Sequence, residues 1–126
     1  MTIRGCETEF IGIAGDYMIN SISWYDSYLD RINIEFDKCL IELTDYEEKY
    51  RVIICHKFSS IRYIGQYDEN VIKSIRTTDN SALIQETKDR IQKSNLGDAL
   101  PGLKQLEIVL IDGVSIEIVA GDFTIT

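Results

Sequence analysis

The hydrophobic pattern is clearest at the end of the chain, over residues 106–126. Two runs rich in Ile and Val flank Asp112-Gly113, a dipeptide suited to the positive φ angles of a two-residue type I′ turn. Alternate residues of the second run share one apolar face: Val114, Ile116, Ile118 and Ala120. The first run is apolar on both faces except at Glu107, as in a strand covered on both sides. The pattern predicts a C-terminal β-hairpin.

Shorter strand-like runs occupy much of the remaining sequence. Polar and apolar residues alternate from Asp30 to Phe36, and a second run over 39–43 follows, so the two runs predict a hairpin. Residues 50–58 have a continuous apolar centre, which predicts an interior strand. Three further short strands are predicted, at residues 10–14, 61–64 and 71–76. Between the strand predicted at 10–14 and the one that begins at Asp30, residues 16–20 can begin a helical turn, and a loop anchored by Trp24 follows.

One helix is predicted, near residues 79–96. Its apolar stripe is narrow, which is typical of a solvent-facing helix packed on a sheet; the stripe is Leu83, Ile84, Thr87 and Ile91. Asp79, Asn80 or Ser81 can cap its first turn, and Gly97 stands where a C′ glycine belongs. Two favourable i,i+4 ion pairs are expected on its surface, Glu86–Arg90 and Asp89–Lys93.

These elements predict an α+β protein that is mainly β. We expect a single domain over residues 1–126, built as an antiparallel sheet or a partly closed β-sandwich. The helix near 79–96 packs on it, and the C-terminal β-hairpin completes it.

Charge excludes several classes of partner. The 126 residues include 21 acidic and 13 basic side chains, a formal net charge of −8, which disfavours direct binding to nucleic acid or to anionic membranes. No apolar run approaches the ~20 residues of a membrane span. The opening residues lack the basic and apolar regions of a signal peptide. We therefore expect a cytoplasmic protein that does not enter membranes.

Candidate catalytic and metal-binding residues are few. The only histidine, His56, follows Cys55, and neighbouring residues of a strand point to opposite faces, so a Cys–His nucleophile is not expected. Glu35 and Asp37 can share a strand face, but in so acidic a chain such a pair is typical of a solvated surface. The spacing of the three cysteines fits no zinc or redox motif, and Cys39 and Cys55 are expected to fill the core. We predict no catalytic residue, metal or cofactor.

Tyrosines mixed with acidic residues are the most informative functional feature. Eleven of the twelve aromatic residues precede residue 68, and several adjoin acids, as in Tyr25-Asp26. Tyr is enriched at protein interfaces, and carboxylates complement a basic partner. The predicted partner-binding residues are Asp45, Tyr46, Glu47, Glu48, Tyr67, Asp68 and Glu69. The alternative is a Tyr-rich sheet surface with no partner, because aromatic residues are good strand formers.

A family resemblance rests on three segments: residues 23–27 (Ser-Trp-Tyr-Asp-Ser), residues 58–63 (Phe-Ser-Ser-Ile-Arg-Tyr) and the strands of 106–120. They resemble a broad group of small bacterial proteins that are uncharacterised or assigned to immunity in toxin–immunity systems, including contact-dependent growth inhibition. In that group the Trp is often followed by His-Asp, whereas Tyr25 follows Trp24 here.

The resemblance implies a small cytoplasmic immunity protein that binds and blocks a cognate basic toxin, often a nuclease. It implies a binder without catalytic residues, in which Trp24 is an aromatic anchor and Asp26 a loop cap. We expect a monomer or a weak homodimer. Two other functions stay open: a small enzyme centred on His56 with nearby carboxylates, and a homo-oligomeric structural module that pairs through its terminal strands.

Overall fold

Two helices and eight strands make up the described part of the chain, which is residues 15–65, 69–93 and 102–126 of a computed structural model. The helices are α1 (15–21) and α2 (Ala82–Lys93). The strands are β1 (Tyr28–Ile34), β2 (Lys38–Thr44), β3 (Tyr50–His56), β4 (Ser60–Ile64), β5 (Ile72–Thr78), β6 (Lys104–Leu110), β7 (Ser115–Ala120) and β8 (Asp122–Ile125). The strand predicted at 10–14 and the predicted helix cap Gly97 lie outside the described residues.

The strands form two antiparallel four-stranded sheets. Sheet I has the order β1-β2-β3-β8, and sheet II has the order β4-β7-β6-β5. The sheets also meet at an isolated antiparallel bridge between Tyr28 and Val71. The predicted fold class, an α+β fold that is mainly β with a C-terminal hairpin, is confirmed.

The chain passes from one sheet to the other at two adjacent corners. β3 continues into β4, and β7 continues into β8, so that β4 pairs with β7 while β3 pairs with β8. The Gly121 amide, at the second corner, donates a 2.8 Å hydrogen bond to the His56 carbonyl, at the first. The predicted hairpin is therefore confirmed over β6 and β7, but the last residues leave it to join sheet I.

The turn between β6 and β7 differs from the predicted two-residue type I′ turn. The Leu110 amide donates to the Val114 carbonyl over 2.8 Å, and the Gly113 amide donates to the Leu110 carbonyl over 3.0 Å. Gly113 has a φ of 94°, and Asp112 is not among the residues with positive φ. These bonds describe a three-residue loop, a type I turn followed by a residue in the left-handed region.

The β2–β3 turn has the same geometry with a different residue in the left-handed position. The Asp45 amide donates to the Lys49 carbonyl over 2.9 Å, and the Glu48 amide donates to the Asp45 carbonyl over 2.8 Å. Glu48 has a φ of 65°, where glycine is the residue without steric cost. This turn is therefore held in a conformation that its sequence does not favour locally.

The core lies between the sheets and is built from the inward faces of their strands. Its largest fully buried side chains are Phe123, Ile19, Ile41, Leu43, Ile53, Ile72, Leu106, Ile108, Leu110, Ile116 and Ile118. Trp24 is buried, and its indole Nε1 donates a 2.8 Å hydrogen bond to the Ile19 carbonyl of α1. The helical turn near Asp16 and the anchoring role of Trp24 are thus as predicted.

One prediction about sheet I is confirmed and one needs correction. β3 is an interior strand, between β2 and β8, as predicted, and Val52 and Ile54 on its outer face are half-buried. Phe36 does not extend the alternation of β1, because it occupies the β1–β2 turn and is fully exposed.

Helix α2 packs on the outer face of sheet II. Leu83 and Ile84 form a small apolar cluster with Leu103 and Val119, and Thr87 is fully buried. The surface ion pairs differ from those predicted. Glu86 pairs with Arg62 of β4 over 3.5 Å, while Asp89 accepts a hydrogen bond from Gln85.

Candidate functional site

The strand order brings two of the acidic segments to the same end of the molecule. Tyr28, the first residue of β1, pairs with Thr44 at the end of β2 and bridges to Val71 on its other side. Adjacent strands lie about 4.8 Å apart, so the β2–β3 turn and the segment before β5 are only about 10 Å apart. The predicted residues 45–48 and Glu69 therefore flank Tyr28.

The β6–β7 turn joins the same end. The Ile111 amide donates to the Val71 carbonyl over 2.8 Å, and the Glu69 amide donates to Asp112 Oδ2 over 3.3 Å. We call this surface the turn end and define it as residues 25–28, 45–49, 69–71 and 111–113.

The turn end carries most of the net charge of the protein. Its fifteen residues include six acidic side chains and one lysine, a formal net charge of −5 within a chain whose net charge is −8. Five of the six carboxylates belong to exposed residues: Asp26, Glu47, Glu48, Glu69 and Asp112. The excess of negative charge is therefore local and faces solvent.

Exposed apolar and aromatic side chains lie among these carboxylates. Tyr25, Tyr28 and Tyr46 are 54%, 46% and 58% exposed, and Ile111 is 40% exposed. A shallow depression of about 470 Å³ opens between β1 and the β2–β3 turn. Its lining consists of Asp26, Tyr28, Asp45, Tyr46, Glu47 and Glu48. Tyrosines beside carboxylates in a concave surface are suited to an amphipathic cationic side chain.

Asp45 differs from its neighbours because it is buried, with 3% exposure. Its carboxylate accepts hydrogen bonds from the amides of Glu47 and Lys49, both at 2.9 Å, and pairs with Arg51 over 3.1 Å. The Lys49 amide, followed by the Arg51 guanidinium and the Glu47 amide, lowers the pKa of Asp45 despite its burial. Asp45 thus fixes the shape of the turn from beneath and does not present its carboxylate to solvent.

The predicted site residues fall into three groups. Tyr46, Glu47, Glu48 and Glu69 are exposed at the turn end, and Asp45 supports them. Tyr67 and Asp68 lie outside the described residues. Four further residues of the turn end were not predicted as site residues: Asp26, Tyr28, Ile111 and Asp112. Asp26 could have been predicted, because the pair Tyr25-Asp26 has the same Tyr–acid composition as the predicted segments.

His56 has a neutral hydrogen-bond partner. Its Nε2 lies 2.9 Å from the Thr124 hydroxyl on the outer face of sheet I, whereas Cys55 points into the core with no exposure. The two side chains diverge, as predicted. No carboxylate contacts the imidazole among the hydrogen bonds and ion pairs of the described residues.

Cys39 and Cys55 are directly opposite each other on β2 and β3, and both are buried and free of disulfides. A hydrogen bond with Cys39, together with burial, raises the pKa of Cys55 well above its usual value, and a protonated thiol is a poor nucleophile. The prediction that these two cysteines fill the core is confirmed. Cys6 lies outside the described residues.

The described ranges contain neither a metal-binding cluster nor a membrane-spanning helix. No group of three or more His, Cys, Asp or Glu side chains in these ranges is placed to hold a metal ion. No helix there is long and apolar enough to cross a membrane. Comparison with known proteins adds no assignment: no family model, curated protein or solved structure matches this chain.

Proposed function

We propose that this protein is an immunity-type binding protein, which neutralises a cognate basic protein toxin in the cytoplasm by covering part of its surface with the turn end. The observation that carries the proposal is the concentration of charge: four segments separated in sequence meet there and hold −5 of the net charge of −8. The protein acts as a binder, without a catalytic step, and as a monomer or weak homodimer.

Charge at the turn end accelerates encounter with a basic partner. Carboxylates concentrated on one surface steer a cationic protein toward it and raise the association rate constant, because the field acts before contact. Charge alone gives limited affinity, since rim ion pairs contribute little. The exposed tyrosines supply the large amphipathic contacts that dominate binding energy at interfaces.

The turn end is also held in one shape before binding. The Asp45 carboxylate bonds to two amides of its own turn. The Leu29 amide donates to the Asn70 carbonyl over 2.8 Å, and Asn70 Nδ2 donates back to the Leu29 carbonyl over 3.2 Å. Because these bonds order the loops in the free protein, less conformational entropy is lost on association.

A basic toxin that cleaves nucleic acid fits this surface chemically. A nuclease binds phosphates with Lys and Arg, and a cluster of carboxylates competes for the same cations. The family resemblance implies the same class of partner. Blocking such a surface inhibits the toxin without any contact between this protein and nucleic acid.

The direct test is binding to the toxin encoded beside this protein, measured by calorimetry at low salt. We expect a complex with a dissociation constant below about 1 μM. The toxin activity should fall in proportion to the complex formed. If no complex forms at micromolar concentrations and low salt, the proposal is lost.

A charge-matched pair of variants tests whether the turn end is the contact surface. The turn-end variant replaces four exposed carboxylates by amides: Asp26→Asn, Glu47→Gln, Glu48→Gln and Glu69→Gln. The control variant makes the same change in net charge at four exposed acids elsewhere: Glu35→Gln, Asp37→Asn, Asp79→Asn and Asp89→Asn. We expect the turn-end variant to lose at least about tenfold in affinity and the control less than about threefold. Equal losses would place the interface elsewhere.

A further inference from the structure

β4 is an edge strand of sheet II, and among the described residues it pairs only with β7, on one side. Hydrogen bonding alternates along β7, and the bonded pair Leu110–Val114 fixes which residues bond to which neighbour. The even-numbered residues of β7 bond to β6, and the odd-numbered residues bond to β4. Ile61 and Tyr63 of β4 stand opposite even-numbered residues, so their N–H and C=O groups point away from the sheet. Strand β2 pairs with β3 but does not extend along β4, because its first residue, Lys38, lies opposite His56 at the end of β3.

A groove of about 500 Å³ runs along this edge. It is lined by Phe58, Ser59, Ser60, Ile61, Arg62, Leu83 and Arg90. On the core side, Phe58 and Ile61 are partly buried against the main apolar cluster. On the other side lie Leu83 and Arg90 of α2. The groove is shallow and open, and it combines apolar side chains with the guanidinium groups of Arg62 and Arg90.

The charge of Arg90 is not matched by a carboxylate within the described ranges. Its Nη2 donates to the Ser60 hydroxyl over 2.6 Å and to the Ser59 carbonyl over 3.4 Å, and both acceptors are neutral. Arg62, by contrast, is paired with Glu117 and Glu86. No acidic side chain lines the groove. In a protein with a net charge of −8, Arg90 is therefore a cation whose charge is available to an anionic group.

We propose that the open edge of β4 accepts an extended acidic segment of a partner protein as an added strand. The outward N–H and C=O groups of Ile61 and Tyr63, which pair with no strand of the described ranges, supply the main-chain hydrogen bonds of such a pairing. Side chains of an extended segment alternate between faces, so its apolar residues contact Phe58 and Ile61 while an acidic residue reaches Arg90. The occupant has the opposite charge to the partner of the turn end, and the two sites do not compete.

The test is an NMR titration of the isotope-labelled 126-residue protein with the peptide acetyl-Val-Glu-Val-Glu-Val-amide. We expect saturable shifts at the amides of Ile61 and Tyr63 and at the side chain of Arg90. Two peptide controls keep the protein unchanged. Replacing both Glu by Lys removes the charge complementarity, and N-methylation of the Val amides removes the strand hydrogen bonds; each should reduce affinity at least about fivefold.

Protein variants test the role assigned to Arg90. Arg90→Gln keeps a hydrogen-bond donor for Ser60 and should weaken the peptide at least about threefold, whereas Arg90→Lys should retain part of the affinity. Arg76→Gln removes an exposed cation outside the groove and should change nothing. The proposal is overturned if no saturable shift appears at about 5 mM peptide. Equal binding of the Lys peptide or of the N-methylated peptide would overturn it as well.

Discussion

Glu48 is a single residue whose backbone conformation conflicts with its side chain. Its φ of 65° places it in the left-handed region, which costs a non-glycine residue roughly 1–2 kcal/mol. Its side chain is exposed at the turn end. We predict that Glu48→Gly raises the free energy of unfolding by about 1 kcal/mol, measured by urea denaturation. Glu47→Gly, at the neighbouring position without positive φ, should leave the free energy of unfolding unchanged or lower it. If Glu47→Gly raised this free energy as much as Glu48→Gly does, backbone strain at Glu48 would not be the cause.

The buried carboxylate of Asp45 makes stability depend on pH. Hydrogen bonds from Lys49, Arg51 and Glu47 lower the pKa of Asp45 in the folded state, while the unfolded chain keeps a value near 3.9. The stabilisation is therefore complete above about pH 4 to 5 and is lost as the pH falls through the folded-state pKa. Asp45→Asn should be less stable at pH 7 and should lose less of its remaining stability on acidification.

Urea denaturation from pH 7 to pH 2.5 measures this effect of Asp45. Asp37→Asn, at an exposed acid, is the matched control and should keep the slope of the unmodified protein. The interpretation fails if Asp45→Asn and the unmodified protein lose stability in parallel over this range.

At the scale of elements, helix α2 shows which of three candidate caps is used. The Ser81 hydroxyl accepts a 3.1 Å hydrogen bond from the Ile84 amide and donates a 2.6 Å bond to Gln105 Oε1 of β6. Ser81→Ala should therefore lower the free energy of unfolding by about 1 kcal/mol or more, since it removes a cap and a contact with the sheet. Asp79→Ala and Asn80→Ala should each change it by less than about 0.5 kcal/mol. Thermal unfolding distinguishes these outcomes, and equal effects would contradict the assignment.

The helices and strands were predictable wherever the local alternation of polar and apolar residues determines the secondary structure. Strands β2 to β7 and helix α2 fall on the predicted runs, because one face of each meets a core. The β6–β7 turn was not predictable in detail. Asp112-Gly113 supplies a positive φ at Gly113 in either turn type, and the choice depends on the register that pairs Leu110 with Val114. The departure of β8 to sheet I likewise depends on pairing with a strand more than sixty residues earlier.

The candidate site was predictable in composition and only partly in extent. Tyr–acid neighbours identify residues 45–48 and Glu69, because each lies in one continuous loop. Asp26, Tyr28 and Asp112 reach the same surface through non-local contacts: Tyr28 pairs with Thr44 and bridges to Val71. A single sequence does not encode that strand order in any local pattern. The burial of Asp45 was missed for the same reason, since Arg51 approaches it from the facing strand.

At the scale of the whole molecule, acidic and basic side chains are balanced across one face of sheet II, and acidic side chains are in excess at the turn end. A row of four side chains crosses the outer face of sheet II on neighbouring strands: Arg62, Glu117, Glu107 and Arg76. Each glutamate in this row is bound by an arginine, at 2.8 Å and 3.2 Å. This row on sheet II is thus neutral, whereas the turn end has six acids and one lysine, and one of the acids, Asp45, pairs with Arg51. Under the proposed function, the directional field of the turn end orients a basic partner before contact.

Under the proposed function, this asymmetry predicts how salt acts on binding to a basic toxin. Raising ionic strength from about 20 mM to 500 mM shortens the screening length from roughly 20 Å to 4 Å. The association rate constant should therefore fall at least about tenfold, and the dissociation rate constant should change much less. Stopped-flow fluorescence measures both. The four-amide turn-end variant should show a clearly flatter salt dependence, while the charge-matched control variant should keep most of the slope, because its carboxylates lie away from the contact surface. If the two variants flatten the slope equally, steering reflects net charge alone and the turn end has no special role in association.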